Sequence, residues 1–173
     1  VWVNPTNFND YGTLIGKRTT YSPSGMRFNL DLSQGNGTVL FQSASSNIAF
    51  TYAPPLNQWT LISVVARSGA TDLYVNGILQ QTQSITFTLG TGSTAQVRMG
   101  NTADGPDQYA GFLDDARIYN RALTSADVQA LYTYTGSPPD IIPPTASLTS
   151  PASGTISGTI SVSATASDNI GVS

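Results

Sequence analysis

Ten aspartates carry all the carboxylate chemistry of this 173-residue chain, because glutamate, histidine and cysteine do not occur in it. A Ser–His or Cys–His nucleophile is therefore excluded. A Ser–Lys pair would have to use Lys17, the only lysine, and nothing near it in sequence supports one. Thiolate metal sites and disulfides are excluded too. What remains is oxygen chemistry, and two stretches concentrate it. The first is Gly111 to Tyr119, which reads as a strand. Phe112, Ala116 and Ile118 share one face of that strand, Leu113, Arg117 and Tyr119 the other. Asp114 has the parity of the first set. A carboxylate on a buried face must be paired, hydrogen-bonded or metal-bound, and Arg117, Arg98 or backbone N–H groups are the alternatives to a metal at Asp114. The second stretch is the loop Asn101 to Tyr109. Asn101, Asp104 and Asp107 offer oxygens of the kind calcium takes, and Tyr109 offers a ring that could stack on a sugar. The same residue types serve as ordinary turn formers. The spacing is not that of an EF-hand.

The elements that must position these residues follow from periodicity. Met26, Phe28, Leu30 and Leu32 alternate with Arg27, Asn29 and Asp31, which predicts a half-buried strand. Short strands are expected at Thr13–Arg18, 38–41 and 48–52 and in the alternating run of Ile85, Phe87 and Leu89. From Trp59 to Ala66 both faces are apolar, which belongs to a central strand of a sandwich. Trp59 and Trp2 are accordingly expected in the core rather than as sugar platforms. Asn76-Gly77 marks a two-residue hairpin, since a type I′ turn needs positive φ at both positions. Thr124 is a good N-cap, Asp127 three residues on completes a variant capping box, and Leu123 and Val128 have hydrophobic-staple spacing. The helix face would be Val128, Leu131 and Tyr132, with Gly136 able to end it.

Three of these stretches carry a resemblance. "GFLDDARIYNRALTSADVQALY" at 111–132 resembles the last strand and following helix of bacterial laminin-G-like jelly rolls of the concanavalin A-like lectin/glucanase architecture. "NQWTLISVVA" at 57–66 and "TDLYVNGILQQ" at 71–81 are similar to its central strand and usual hairpin. The resemblance implies an all-β fold over residues 1–136: an antiparallel jelly-roll β-sandwich with one short C-terminal helix, its N-terminal strands missing. It also implies a structural calcium held by Asp114, with partner ligands from a first strand that this chain lacks. The glucanases of this fold use two glutamates flanking an aspartate on one strand, and no such strand exists here. After a proline-rich linker at 137–144, the segment 145–173 resembles the first strands of a bacterial immunoglobulin-like domain. A full domain of that kind needs about seven strands, so this one is incomplete.

Composition narrows the function. The formal net charge is −3 and only 10% of residues are charged, with the basic ones scattered, which argues against nucleic acid and anionic membranes. No stretch is long enough to span a membrane as a helix. The chain opens inside an apolar strand and reads as a fragment of a longer protein, so a missing leader carries no information. The expectation is a non-catalytic recognition module of an extracellular or cell-surface protein with covalently linked neighbouring domains. It would bind a glycan or another cell-surface ligand through Asn101, Asp104, Asp107 and Tyr109, with calcium at Asp114. The alternative is a structural spacer with no specific ligand.

Overall fold

The structure is a computed structural model. It describes residues 1–20, 22, 24–91, 94–103, 105, 107–134, 145–150, 155 and 157–167. The chain divides into two compact units, Val1–Tyr134 and Thr135–Ser173. In chain order the first unit contains β1 (Trp2–Pro5), β2 (Gly12–Arg18), β3 (Met26–Leu32), β4 (Val39–Gln42), β5 (Asn47–Ala49), β6 (Thr60–Arg67), β7 (Ala70–Val75), β8 (Ile78–Gln83), β9 (Val97–Met99), β10 (Gly111–Asp114) and α1 (Ser125–Thr133). These strands form two five-stranded antiparallel sheets, ordered β10-β1-β6-β7-β8 and β5-β4-β3-β2-β9. The inner faces bury Val3, Leu14, Leu30, Leu32, Val39, Ile48, Phe50, Ile62 and Leu73 as one core. Phe41 and Phe87 stack beside it with ring centroids 3.9 Å apart. This is the expected jelly-roll sandwich.

The two-faced apolar strand takes the central place predicted for it. β6 is the middle strand of its sheet. Ile62 faces the sandwich core, while Val65 joins Tyr74, Val128 and Leu123 in a second cluster on the opposite face. That second cluster exists because α1 covers the outer face of this sheet. The predicted cap is present: Thr124 accepts from the Asp127 N–H, and the Asp127 carboxylate accepts from the Thr124 N–H at 2.8 Å. Asn76 and Gly77 have φ of +49° and +81°, as the hairpin turn between β7 and β8 requires. The turn lies directly under α1. A Cβ on Gly77 would stand 2.9 Å from Tyr132 Cβ, so glycine supplies both the turn geometry and the room for the helix.

Several expectations are corrected. Trp59 lies outside β6 and is 47% exposed; Asn57, in positive φ just before it, turns the chain before the strand begins. The strand expected to run from Gly111 to Tyr119 stops at Asp114, where Asp115 enters the left-handed region at φ +44°. The ladder also reverses its expected parity. Leu113 opposite Val3 packs against the core, so Phe112 and Asp114 face outward and are exposed. Ile85 to Leu89 form no strand, although Phe87 reaches the core and the Thr71 hydroxyl donates to Ile85 O at 2.9 Å. The polar face of β3 is not solvated: Asn29 is fully buried and Asp31 is 3% exposed.

The second unit contains β11 (Thr145–Ser150) and β12 (Ser163–Ser167), paired antiparallel with a bulge near Leu148. Their side chains are almost all exposed, Leu148 by 71%. Ile160 and Val162 precede β12. The linker at 137–144 and the helix stop at Gly136 lie outside the described residues.

Candidate functional site

The loop between β9 and β10 is held from beneath. Its neck closes where the Tyr109 N–H donates to Gly100 O at 2.8 Å. The Arg18 guanidinium, from the end of β2, is buried and pairs with the Asp107 carboxylate, and it also donates to Thr102 Oγ1 at 3.1 Å. Tyr109 packs half-buried against the sandwich core, and burial pushes its phenol well above the usual range. The ring therefore works as a wedge under β1 and β10. Asp107 is a clasp, Asn101 is half-buried at the neck, and Asp104 lies outside the described residues. The structure thus joins Asp107 and Tyr109 to the scaffold.

The same clasp adjoins a buried polar cluster that periodicity missed. The Asp31 carboxylate accepts from Thr13 Oγ1 at 2.7 Å and from Asn29 Nδ2 at 2.7 and 2.6 Å. Burial pushes Asp31 up to about 6, against the hydrogen bond from Thr13 and the charge of Arg18. Asn29 Oδ1 is buried with no hydrogen-bond partner. It lies over Gly16, where a Cβ would come within 1.8 Å of it. Glycine opposite asparagine, with an Asn-x-Asp spacing on the polar face, was the available signal. Nothing in the sequence said that this face would be covered.

The outward parity of β10 builds a different surface. Trp2 stands opposite Asp114 and Asn4 opposite Phe112, so these four side chains share the outer face of the β1–β10 pair. Phe112 is 63% exposed. Trp2 stacks on Tyr132 from the last turn of α1, with centroids 5.8 Å apart and planes at 29°. Asp114 Oδ1 accepts from the Asp115 N–H at 2.7 Å, leaving its second oxygen toward solvent. The Asn4 side-chain oxygen is buried and has no hydrogen-bond partner among the described residues. Beside these, Asp115 takes a two-pronged ion pair from Arg117 at 2.7 and 2.8 Å, and Arg117 lies 4.9 Å over the ring of Tyr134. Among the described residues no three carboxylates converge on one point. The result is an aromatic strip with the Asp114 carboxylate at its edge.

Comparison with known proteins agrees with this architecture. The sequence profile of a family described as the concanavalin A-like lectin/glucanases superfamily matches residues 1–129. No curated protein matches the chain. Among solved structures, domain 4 of AbnA, a GH43 extracellular arabinanase from Geobacillus stearothermophilus, in complex with arabinotriose, aligns with a TM-score of 0.58 and 22% identity over 76% of this chain and 64% of that one. A protein of Bacteroides ovatus named as a candidate carbohydrate-binding protein aligns with a TM-score of 0.60 and 16% identity over 74% of this chain and 38% of that one. The ligand-binding domain of botulinum neurotoxin serotype D, in complex with N-acetylneuraminic acid, aligns with a TM-score of 0.52 and 19% identity over 76% and 34%. The chain thus spans from one third to just under two thirds of the length of these structures. At these identities they share its fold.

Proposed function

The chain belongs to the concanavalin A-like lectin/glucanase superfamily, and we propose that its first unit is a non-catalytic module that binds a glycan on the outer face of β1 and β10. The observation that carries this reading is the strip of Trp2, Tyr132 and Phe112 edged by Asp114. A sugar ring presents C–H groups on its faces and hydroxyls around its rim. Aromatic faces accept the first and pack at low entropy cost, while the Asp114 carboxylate accepts hydrogen bonds from the second. Carbohydrate ligands in solved structures of the same fold support the ligand class. The lack of glutamate supports a binding rather than a cleaving role, since a glycosidase sets a carboxylic acid and a second carboxylate across the bond. Among the described residues, the carboxyl held well above its usual pKa, Asp31, is buried in the sheet and offers no access to a substrate. The setting we infer is an extracellular or cell-surface protein; no helix among the described residues is long and apolar enough to cross a membrane.

A glycan array followed by isothermal titration of the best hit tests the proposal. Trp2→Ala and Asp114→Asn should each weaken binding about tenfold or more, as loss of a buried stacking or charged contact does. Asn101→Ala, in the loop, should leave it unchanged. Loss at Asn101 with retention at Trp2 would move the site to the β9–β10 loop, and no binding to any glycan would favour a spacer. In this reading Asp114 is a hydrogen-bond acceptor. Calcium held by it would instead make binding sensitive to EDTA, so the same titration in chelator separates the two roles.

A further inference from the structure

Past Pro5, at the far end of β1 from Val1, the chain encloses a hollow of about 500 Å³ between the β1–β2 turn and the start of β10. Phe8 and Tyr109 line it, and both are packed half-buried against the sandwich core. Asn7, Asn9, Asp10 and Gln108 supply its polar lining. The turn is fixed by its own main chain. Asn7 Oδ1 accepts from the Asn9 N–H at 3.0 Å and Asp10 Oδ1 from the Tyr11 N–H at 2.8 Å. Phe8 O accepts from the Gly35 N–H at 2.6 Å, and Asn9 O accepts from Gln34 Nε2 at 3.0 Å. These bonds occupy one side-chain oxygen each of Asn7 and Asp10. The Asn7 amide nitrogen, the second Asp10 oxygen and the side-chain amides of Asn9 and Gln108 have no hydrogen-bond partner among the described residues. Unused donors and acceptors thus surround two fixed rings, the make-up of a site for a small polar ligand.

The hollow continues the strip described above. Ala110 lines it, and Phe112 follows two residues on, about 7 Å along the strand. Asp114, opposite Trp2, is two residues farther. Trp2 with Tyr132, then Phe112, then Phe8 with Tyr109 therefore succeed one another along β1 and β10 as three aromatic stations. No lysine or arginine lines the hollow. Resting on the glycan reading of the strip, we propose that the ligand is an uncharged oligosaccharide of at least three rings, with two on the strip and the third in the hollow. Sugar hydroxyls both donate and accept, so they match a mixed set of amides and one carboxylate. A uronate or other acidic ring would meet the Asp10 carboxylate with no cation to answer it, and like charges brought together in this way are penalised. The hollow thereby sets both the length and the charge class of the ligand.

The probes are linear xylo-, cello- and manno-oligosaccharides of one to four rings, titrated calorimetrically into the whole chain. In a series that binds, affinity should rise about tenfold from two rings to three, as a few added hydrogen bonds and a ring contact give, and change little from three to four. Asn9→Ala combined with Gln108→Ala, both exposed positions, should bring the trisaccharide down to the affinity of the disaccharide and leave the disaccharide unchanged. Trp2→Ala should weaken both lengths alike. Trigalacturonate should bind no more tightly than digalacturonate. Equal affinity for two and three rings, with the double variant silent while Trp2→Ala still weakens both, overturns the hollow and leaves the strip standing. Loss of every length in the double variant, with Trp2→Ala silent, overturns the strip and this inference with it. A gain at the third ring of galacturonate, or tighter binding of a chitosan trimer than of any uncharged trimer, overturns the charge class. Failure of all three uncharged series to bind rejects the inference, while the strip is still judged by the array and its own variants.

Discussion

Replacing Asp31 by asparagine should remove a pH dependence from folding, and the structure sets both its sign and its size. Asp31 is 3% exposed, and burial pushes its pKa from 3.8 to about 6. In that interval the folded protein holds a proton that the unfolded chain has released. Stability therefore falls as pH rises through the window, and the penalty is complete above the folded value. A shift of roughly two units corresponds to about 3 kcal/mol. Asp31→Asn abolishes the titration and keeps an oxygen for Thr13. It also supplies an N–H for the unpartnered Asn29 Oδ1 once the Asn29 amide turns over. The substituted protein loses the attraction of Arg18, which keeps its pairing with Asp107. Urea unfolding of both proteins between about pH 4 and about pH 7 measures the effect. The two should be about equally stable at the acid end, and the substituted protein should be more stable by about 1–3 kcal/mol at the neutral end. Other titrating groups cancel in the difference. Parallel pH profiles would refute the reasoning and would mean that Asp31 stays ionised in the fold at no cost.

Two more perturbations test how the scaffold carries its sites. Thr124→Ala should cost about 1 kcal/mol through the lost capping box and Val128→Ala about 2 kcal/mol through lost burial under the helix, measured by denaturant unfolding; of the expected helix face, Val128 is the fully buried residue and Leu131 only half-buried. Arg18→Met should cost about 3 kcal/mol, the low end for breaking a buried pair because Asp107 keeps 21% of its side-chain exposure, and hydrogen exchange should show faster amides from Gly100 to Tyr109 with β3 unchanged.

The features legible in the sequence were those with a local cause. The Asn76-Gly77 turn follows from φ preferences, the Thr124–Asp127 cap from hydrogen-bond reach, and the central place of β6 from apolar residues on both faces. What escaped depends on partners remote in sequence. The alternation of β3 correctly separates Leu30 and Leu32 from Asn29 and Asp31. Periodicity cannot tell a solvated polar face from one sealed by the arginine at the end of β2. The reversed parity of β10 has a single origin. Reading the strand on to Tyr119 enlisted Ala116 and Ile118 to set the inner face, whereas the positive φ of Asp115 ends the strand before either takes part. That one residue leaves Asp114 exposed on the outer face, beside Trp2 and Phe112, rather than on the expected inner one. The tyrosine of the loop packs against the core through contacts with residues remote in sequence, which no local pattern announces.

The pinched neck at Gly100 and Tyr109 has a consequence for how this domain can be varied. The two strands that leave the loop are tied to each other at its base, and the clasp of Arg18 on Asp107 and Thr102 holds the flanks. Changes in length or composition between positions 103 and 106 are thereby insulated from the registers of β9 and β10. Loop closure is also forgiving: doubling such a segment costs only about 0.6 kcal/mol. The domain thus offers a graft site, where a randomised or inserted peptide can be displayed on a sandwich whose stability is set elsewhere.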